Sequence, residues 1–160
     1  MIGTLILTHG GMARELLEAA RKINGSLAQF EAISLSWSAT MDDARRRVEE
    51  SLDRLNTGEG VLILTDAFGG TPCNIAMSFR APGVVEVIGG VNLPMVMRLA
   101  CLGNLREETL DEAAHWLAEK GQQSICVGSD REAACAPPPC PQTDDDRAQV
   151  KEHGEAGKKA

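Results

Sequence analysis

Four short apolar runs, at 2–7, 32–35, 61–64 and 84–88, recur along the chain with a segment of helical period after each. A run that is apolar at nearly every position suits a strand covered on both faces, and such strands build parallel sheets held between two layers of helices. Alternating strands and helices joined by right-handed crossovers then restrict the chain to an α/β fold.

The intervening segments carry their own punctuation. Ala13, Leu16, Leu17, Ala20 and Ile23 recur at helical spacing, and Asn24-Gly25 supplies a stop. Thr40 with Asp43 three residues on resembles a capping box, after which Met41, Ala44, Val48, Leu52 and Leu55 keep one face apolar as far as Thr57-Gly58. Pro72 and Pro94 stand at helical starts, where the missing N–H is harmless, and open helices over 72–79 and 94–102. Thr109 with Glu112 opens a helix over 110–120 with Ala113, Ala114 and Leu117 inward, and after Gly121 the run 124–127 reads as a last strand. The order β-α-β-α-β-α-β-α-α-β predicts a doubly wound, flavodoxin-like sheet with strand order 2-1-3-4.

At 160 residues the chain is long enough for one core without staples. A single domain is expected over 1–131. From 132 the apolar period disappears, 133–141 is rich in Ala, Cys and Pro, and Asp144-Asp145-Asp146 follows. Residues 132–160 are therefore expected to form a disordered tail, because such a composition buries too little surface to offset ordering entropy. A net charge of -7 argues against nucleic acid or an anionic membrane as a direct partner. The amino terminus has no basic start followed by an apolar run, and no apolar stretch nears the roughly 20 residues of a membrane span, so a cytoplasmic protein is expected. The five cysteines are an odd number with three inside predicted elements, and the expectation is reduced thiols. Cys135 and Cys140 flank Ala-Pro-Pro-Pro at a spacing that matches neither a zinc knuckle nor C-x-x-C, so no metal site is expected. His115 and His153 are read as solvated side chains.

In a sheet ordered 2-1-3-4, strands one and three are neighbours whose following helices lie on opposite faces, which leaves a crevice at their carboxyl ends. His9 ends the first strand and Asp66 the third. A carboxylate there would fix the imidazole tautomer and make the outer nitrogen a better nucleophile. Gly69, Gly70 and Thr71 before the helix at Pro72, and Gly10-Gly11 before the first helix, offer main-chain N–H groups and a hydroxyl to an anion, forming a small phosphate cradle. Met12, Phe68 and Met95, with Asn92 in the third glycine turn, are candidates for a partner-docking rim, against the alternative that they are packing. Taken singly, His9 could be a polar loop residue, Asp66 a helix cap, and Gly-Gly-Thr-Pro an ordinary turn. Neither a P-loop nor a G-x-G-x-x-G turn is present, and no cofactor is expected.

Thr8-His9-Gly10 after strand one, Thr65-Asp66 with Gly69-Gly70-Thr71-Pro72-Cys73-Asn74 after strand three, and Gly90-Val91-Asn92-Leu93-Pro94-Met95 after strand four resemble, in combination, the IIA component of the mannose family in the bacterial phosphoenolpyruvate-dependent sugar phosphotransferase system. The resemblance covers about 1–128. It implies a phosphocarrier in which His9 accepts phosphate from phospho-HPr and passes it to a IIB component, with Asp66 orienting the ring. It also implies a homodimer in which the last strand, here 124–127, crosses antiparallel onto the partner's sheet. The segment after strand two departs from the family's Pro-Gly-acidic turn and reads Ser36-Trp37-Ser38-Ala39-Thr40, a change that bears on partner choice. Two alternatives stay open: a regulatory protein read through phosphate on His9, and the related phosphotransfer subunit of dihydroxyacetone kinase.

Overall fold

The computed structural model describes residues 1–101 and 109–128. The elements are β1 Gly3–His9, α1 Met12–Asn24, β2 Phe30–Leu35, α2 Met41–Leu55, β3 Val61–Thr65, α3 Thr71–Met77, β4 Val85–Gly89, α4 Leu93–Cys101 and α5 Leu110–Gln123. The strands pair in parallel in the order β2-β1-β3-β4, as expected for a doubly wound α/β sheet.

The period-two alternation of strand side chains divides the core into two layers. Leu5 and Leu7 of β1 and Val61 and Ile63 of β3 pack on one face with Ala44, Val48 and Leu55 of α2 and Ile75 of α3. Ile6, Leu62 and Leu64 point the other way, into a layer with Ala13 and Leu17 of α1, Val96 of α4 and Leu117 of α5. All seven of these strand residues have 0% exposure, which explains why β1 and β3 read as unbroken apolar runs. The helices that follow β1 and β3 thus lie on opposite faces, and the crevice between these strands opens at their carboxyl ends.

Several helix starts form as their local chemistry dictates. The Thr40 hydroxyl accepts from the Asp43 N–H at 3.2 Å. At α5 the box is reciprocal: Thr109 Oγ1 accepts from Glu112 N–H at 3.3 Å, and Glu112 Oε2 accepts from Thr109 N–H at 2.9 Å. The start of α1 is held from outside the helix, since Gly11 at its N-cap has no side chain to offer. The buried Thr8 hydroxyl accepts from the Ala13 N–H at 2.7 Å instead.

The expected last strand is not formed in the single chain. Helix α5 runs through Gly121 to Gln123, and Ser124 accepts no role in a ladder; Ile125 and Val127 are 79% and 64% exposed. Gly121 fails as a stop because its task is close packing: a Cβ there would stand 2.7 Å from the Met95 sulfur. A strand also needs a neighbour to accept its backbone hydrogen bonds, and among the described residues 124–127 pairs with no strand. The expectation of reduced thiols holds at buried Cys73 but not at Cys126, which is disulfide-bonded; pairing of this kind cannot be deduced from sequence spacing. Cys135, Cys140, His153 and the expected tail over 132–160 lie outside the described residues. Among the described residues no helix is long and apolar enough to cross a membrane.

Candidate functional site

His9 is the last residue of β1, and its backbone pairs with Leu35 of β2. Asp66 follows β3 directly. Because β1 and β3 are adjacent and in register, with Leu7 beside Thr65, the carboxylate reaches the histidine twice. Asp66 Oδ2 accepts from the His9 backbone N–H at 2.8 Å and lies 2.8 Å from His9 Nδ1. The other oxygen, Oδ1, accepts from the Ala67 N–H at 2.8 Å.

Burial raises the Asp66 pKa, but the backbone N–H groups of His9 and Ala67, the His9 ring and its charge together outweigh that effect, and the carboxyl sits below its ordinary value. An ionised carboxylate only accepts hydrogen bonds. Nδ1 must therefore carry the proton, and in the neutral ring the lone pair is then on Nε2. The His9 side chain is 30% exposed and that of Asp66 14%, so the carboxylate is more sheltered than the imidazole it holds.

Three neighbours surround the imidazole. Asp66 holds Nδ1. Gly70 closes on Cε1, where a Cβ would stand 3.0 Å away, so this position admits glycine alone without moving the ring. Trp37, in the turn after β2, stacks on the ring with centroids 5.5 Å apart and planes inclined by 20°. The sequence pattern identified His9, Asp66 and Gly70; the roles of Trp37 and Thr8 were not legible in it. The signals for Trp37 were a large aromatic residue among small ones in this turn and the departure of Ser36 to Thr40 from the family's Pro-Gly-acidic pattern.

The glycine turns divide their tasks. Gly10, with φ 55°, reverses the chain between β1 and α1 and donates its N–H to Leu35 O at 2.8 Å. Gly70 donates to Ala67 O at 3.1 Å. Both N–H groups are thus engaged within the protein, and the cradle expected from the sequence is reduced at those two positions to shape. Gly11, Gly69 and Thr71 are exposed, and the Asn74 side chain braces the loop by donating to Gly69 O at 3.1 Å. The third turn supports the second: Gly90 donates to Asp66 O at 3.0 Å and Val91 to Thr65 O at 2.9 Å.

Of the four rim candidates, two are at the surface. Met12 is 42% and Phe68 79% exposed. Met95 is a core residue, 2% exposed, and lies against Gly121. Asn92 links two helices, donating to Gly121 O at 3.1 Å and accepting from the Met95 N–H at 3.0 Å. Of the two readings open for Met95, rim or packing, the structure shows packing, because α5 covers it at Gly121.

Residues 3–115 match the family described as "PTS system fructose IIA component". The chain is 33% identical over 103 residues to YadI of Escherichia coli (strain K12), provisionally described as a phosphotransferase enzyme IIA component, covering 63% of this chain and 70% of YadI. It is 30% identical over 132 residues to the PTS system fructose-specific EIIA component of Bacillus subtilis (strain 168), covering 81% of this chain and 88% of that protein. A solved structure, the mannose/sorbose specific IIA subunit of the phosphotransferase system from Enterococcus faecalis, superposes with a TM-score of 0.67 at 28% identity over 79% of this chain and 93% of that one. With the family matched across the whole sheet and both sides of the crevice, the chain belongs to the mannose-type IIA components of the sugar phosphotransferase system.

Proposed function

We propose that this chain is a histidine phosphocarrier that accepts a phosphoryl group from phospho-HPr on His9 and passes it to a IIB component for sugar uptake. The observation that carries this reading is the 2.8 Å contact of His9 Nδ1 with Asp66 Oδ2, which directs the free lone pair outward from Nε2. Phosphoryl transfer asks mainly for in-line positioning and stabilisation of charge. A neutral imidazole with one nitrogen fixed meets the first need. The exposed amides of Gly11, Gly69 and Thr71 and the Thr71 hydroxyl meet the second by receiving phosphoryl oxygens, while Gly10 and Gly70 keep the approach open.

As the phosphorus–nitrogen bond of the donor breaks, its electron pair returns to the donor ring and Nε2 forms the new bond. The reverse sequence delivers the group to the acceptor. Met12 and Phe68 flank the site as apolar contacts for both partners. The reading places the chain in the cytoplasm as a homodimer, with 124–127 as the exchanged segment, and requires no cofactor.

The test supplies phosphoenolpyruvate, enzyme I and HPr and looks for an acid-labile phosphate on this chain. Label is expected on the wild type and absent from His9→Ala; an unlabelled wild type rejects the carrier role. Discharge of the label on adding a IIB protein is the expected second step, whereas retention with every IIB tried favours a regulatory reading.

A further inference from the structure

We propose that Trp37 is a positioning residue that favours the phosphorylated over the free form of His9, an inference that rests on the phosphocarrier reading above. The register pairs His9 with Leu35, so the turn at Ser36 to Ala39, closed by Ala39 N–H to Ser36 O at 3.1 Å, begins beside the histidine. The indole lies over the imidazole at 5.5 Å between centroids and 20° between planes. It is nevertheless 87% exposed, so burial of its own surface gives little reason for the placement. The contact it makes is with the ring that carries the chemistry.

The form of the imidazole that can accept the group is the neutral one, with its proton on Nδ1 beside Asp66 and its lone pair on Nε2. Transfer breaks the donor's phosphorus–nitrogen bond, returns that electron pair to the donor, and forms a bond to Nε2. The His9 ring, now substituted on one nitrogen and protonated on the other, carries a formal positive charge. An aromatic face within about 6 Å attracts a cation, and indole does so best. A neutral ring gains less from the same stack. The interaction is therefore differential: it stabilises phospho-His9 relative to His9, from the face of the ring, in the same direction as Asp66 acts from its edge. At an exposed site the effect amounts to about a two- to fivefold shift in the transfer equilibrium.

The test uses the full chain and radiolabelled phospho-HPr, and reads the equilibrium distribution of phosphate between the two proteins. Trp37→Ala is expected to move it about two- to fivefold toward HPr. Trp37→Phe keeps a weaker aromatic face and should recover part of the shift, while Trp37→Leu keeps apolar bulk without one and should behave as alanine. The chain has two tryptophans, so in a Trp116→Phe background the emission reports Trp37; it should fall on phosphorylation and stay constant when His9 is alanine. A labelled chain whose equilibrium is unmoved by Trp37→Ala overturns this inference alone. So does a raised KM for HPr with the equilibrium unchanged, which makes the indole a docking contact. An unlabelled wild-type chain overturns the carrier reading and this inference with it.

Discussion

Asp66 illustrates how one side chain ties chemistry to stability. Its carboxyl is drawn below the ordinary aspartate range although burial acts in the opposite direction, because the N–H groups of His9 and Ala67 and the His9 ring all favour the charged form. A depressed folded pKa contributes stability that is complete above the unfolded value, about 3.9, and is lost as the pH falls through the lower folded value. Asp66→Asn should therefore be less stable than the wild type at neutral pH, with the gap closing only below the ordinary aspartate range. Urea denaturation of both proteins from pH 7 to pH 3 measures it; a gap that is constant across the range rejects the linkage. The same variant should slow phosphoryl transfer by about one to two orders of magnitude, the equivalent of a hydrogen bond to a charged group. The His9 and Asp66 pair was legible in the sequence because both residues are fixed by strand ends, and strand order followed from the pattern of runs. Trp37 was not, since its position depends on how a loop folds over a ring from another strand.

At the level of elements, the clearest signals were those made by a side chain bonding to its own local backbone. Thr40, Thr109 with Glu112, and Pro72 all mark helix starts, and all lie where the sequence puts them. The failed signals were those a distant element can override: Gly121 reads as a helix stop but packs against Met95, and α5 continues past it. Helix α1 combines both cases. Its first turn follows Gly10-Gly11 as expected, yet the group that secures it is the hydroxyl of Thr8, at 0% exposure, holding the Ala13 N–H at 2.7 Å. That bond links the end of β1, one residue before the nucleophile, to the helix that begins three residues after it. Thr8→Val keeps the branched shape and leaves the Ala13 N–H without its partner, a change that costs about 1–3 kcal/mol for a buried donor. Chemical denaturation should show this loss; equal stability of Thr8→Val and the wild type would falsify the anchoring role.

Across the described residues, the sheet is closed by helices on both faces but not at its edges, since β2 and β4 each pair with a strand on one side only. Each edge strand carries a carboxylate bound to an arginine at 2.8 Å, Glu31 with Arg54 and Glu86 with Arg80. Charged edge residues of this kind discourage unspecific pairing. Beyond α5, Ser124 to Val127 presents two exposed apolar side chains, at 79% for Ile125 and 64% for Val127, on a backbone that takes no part in the sheet. Proposed as an exchanged strand, this segment satisfies its own backbone groups and one sheet edge of a second copy at once. The wild-type chain should then sediment as a dimer, and Ile125→Asp with Val127→Asp should sediment as a monomer. Because both positions are exposed in the protomer, the double variant should keep the protomer's stability to within about 0.5 kcal/mol per site and should still take phosphate on His9. A monomeric wild type, or a dimer unaffected by the two aspartates, rejects the exchange and leaves the apolar end of α5 to some other contact.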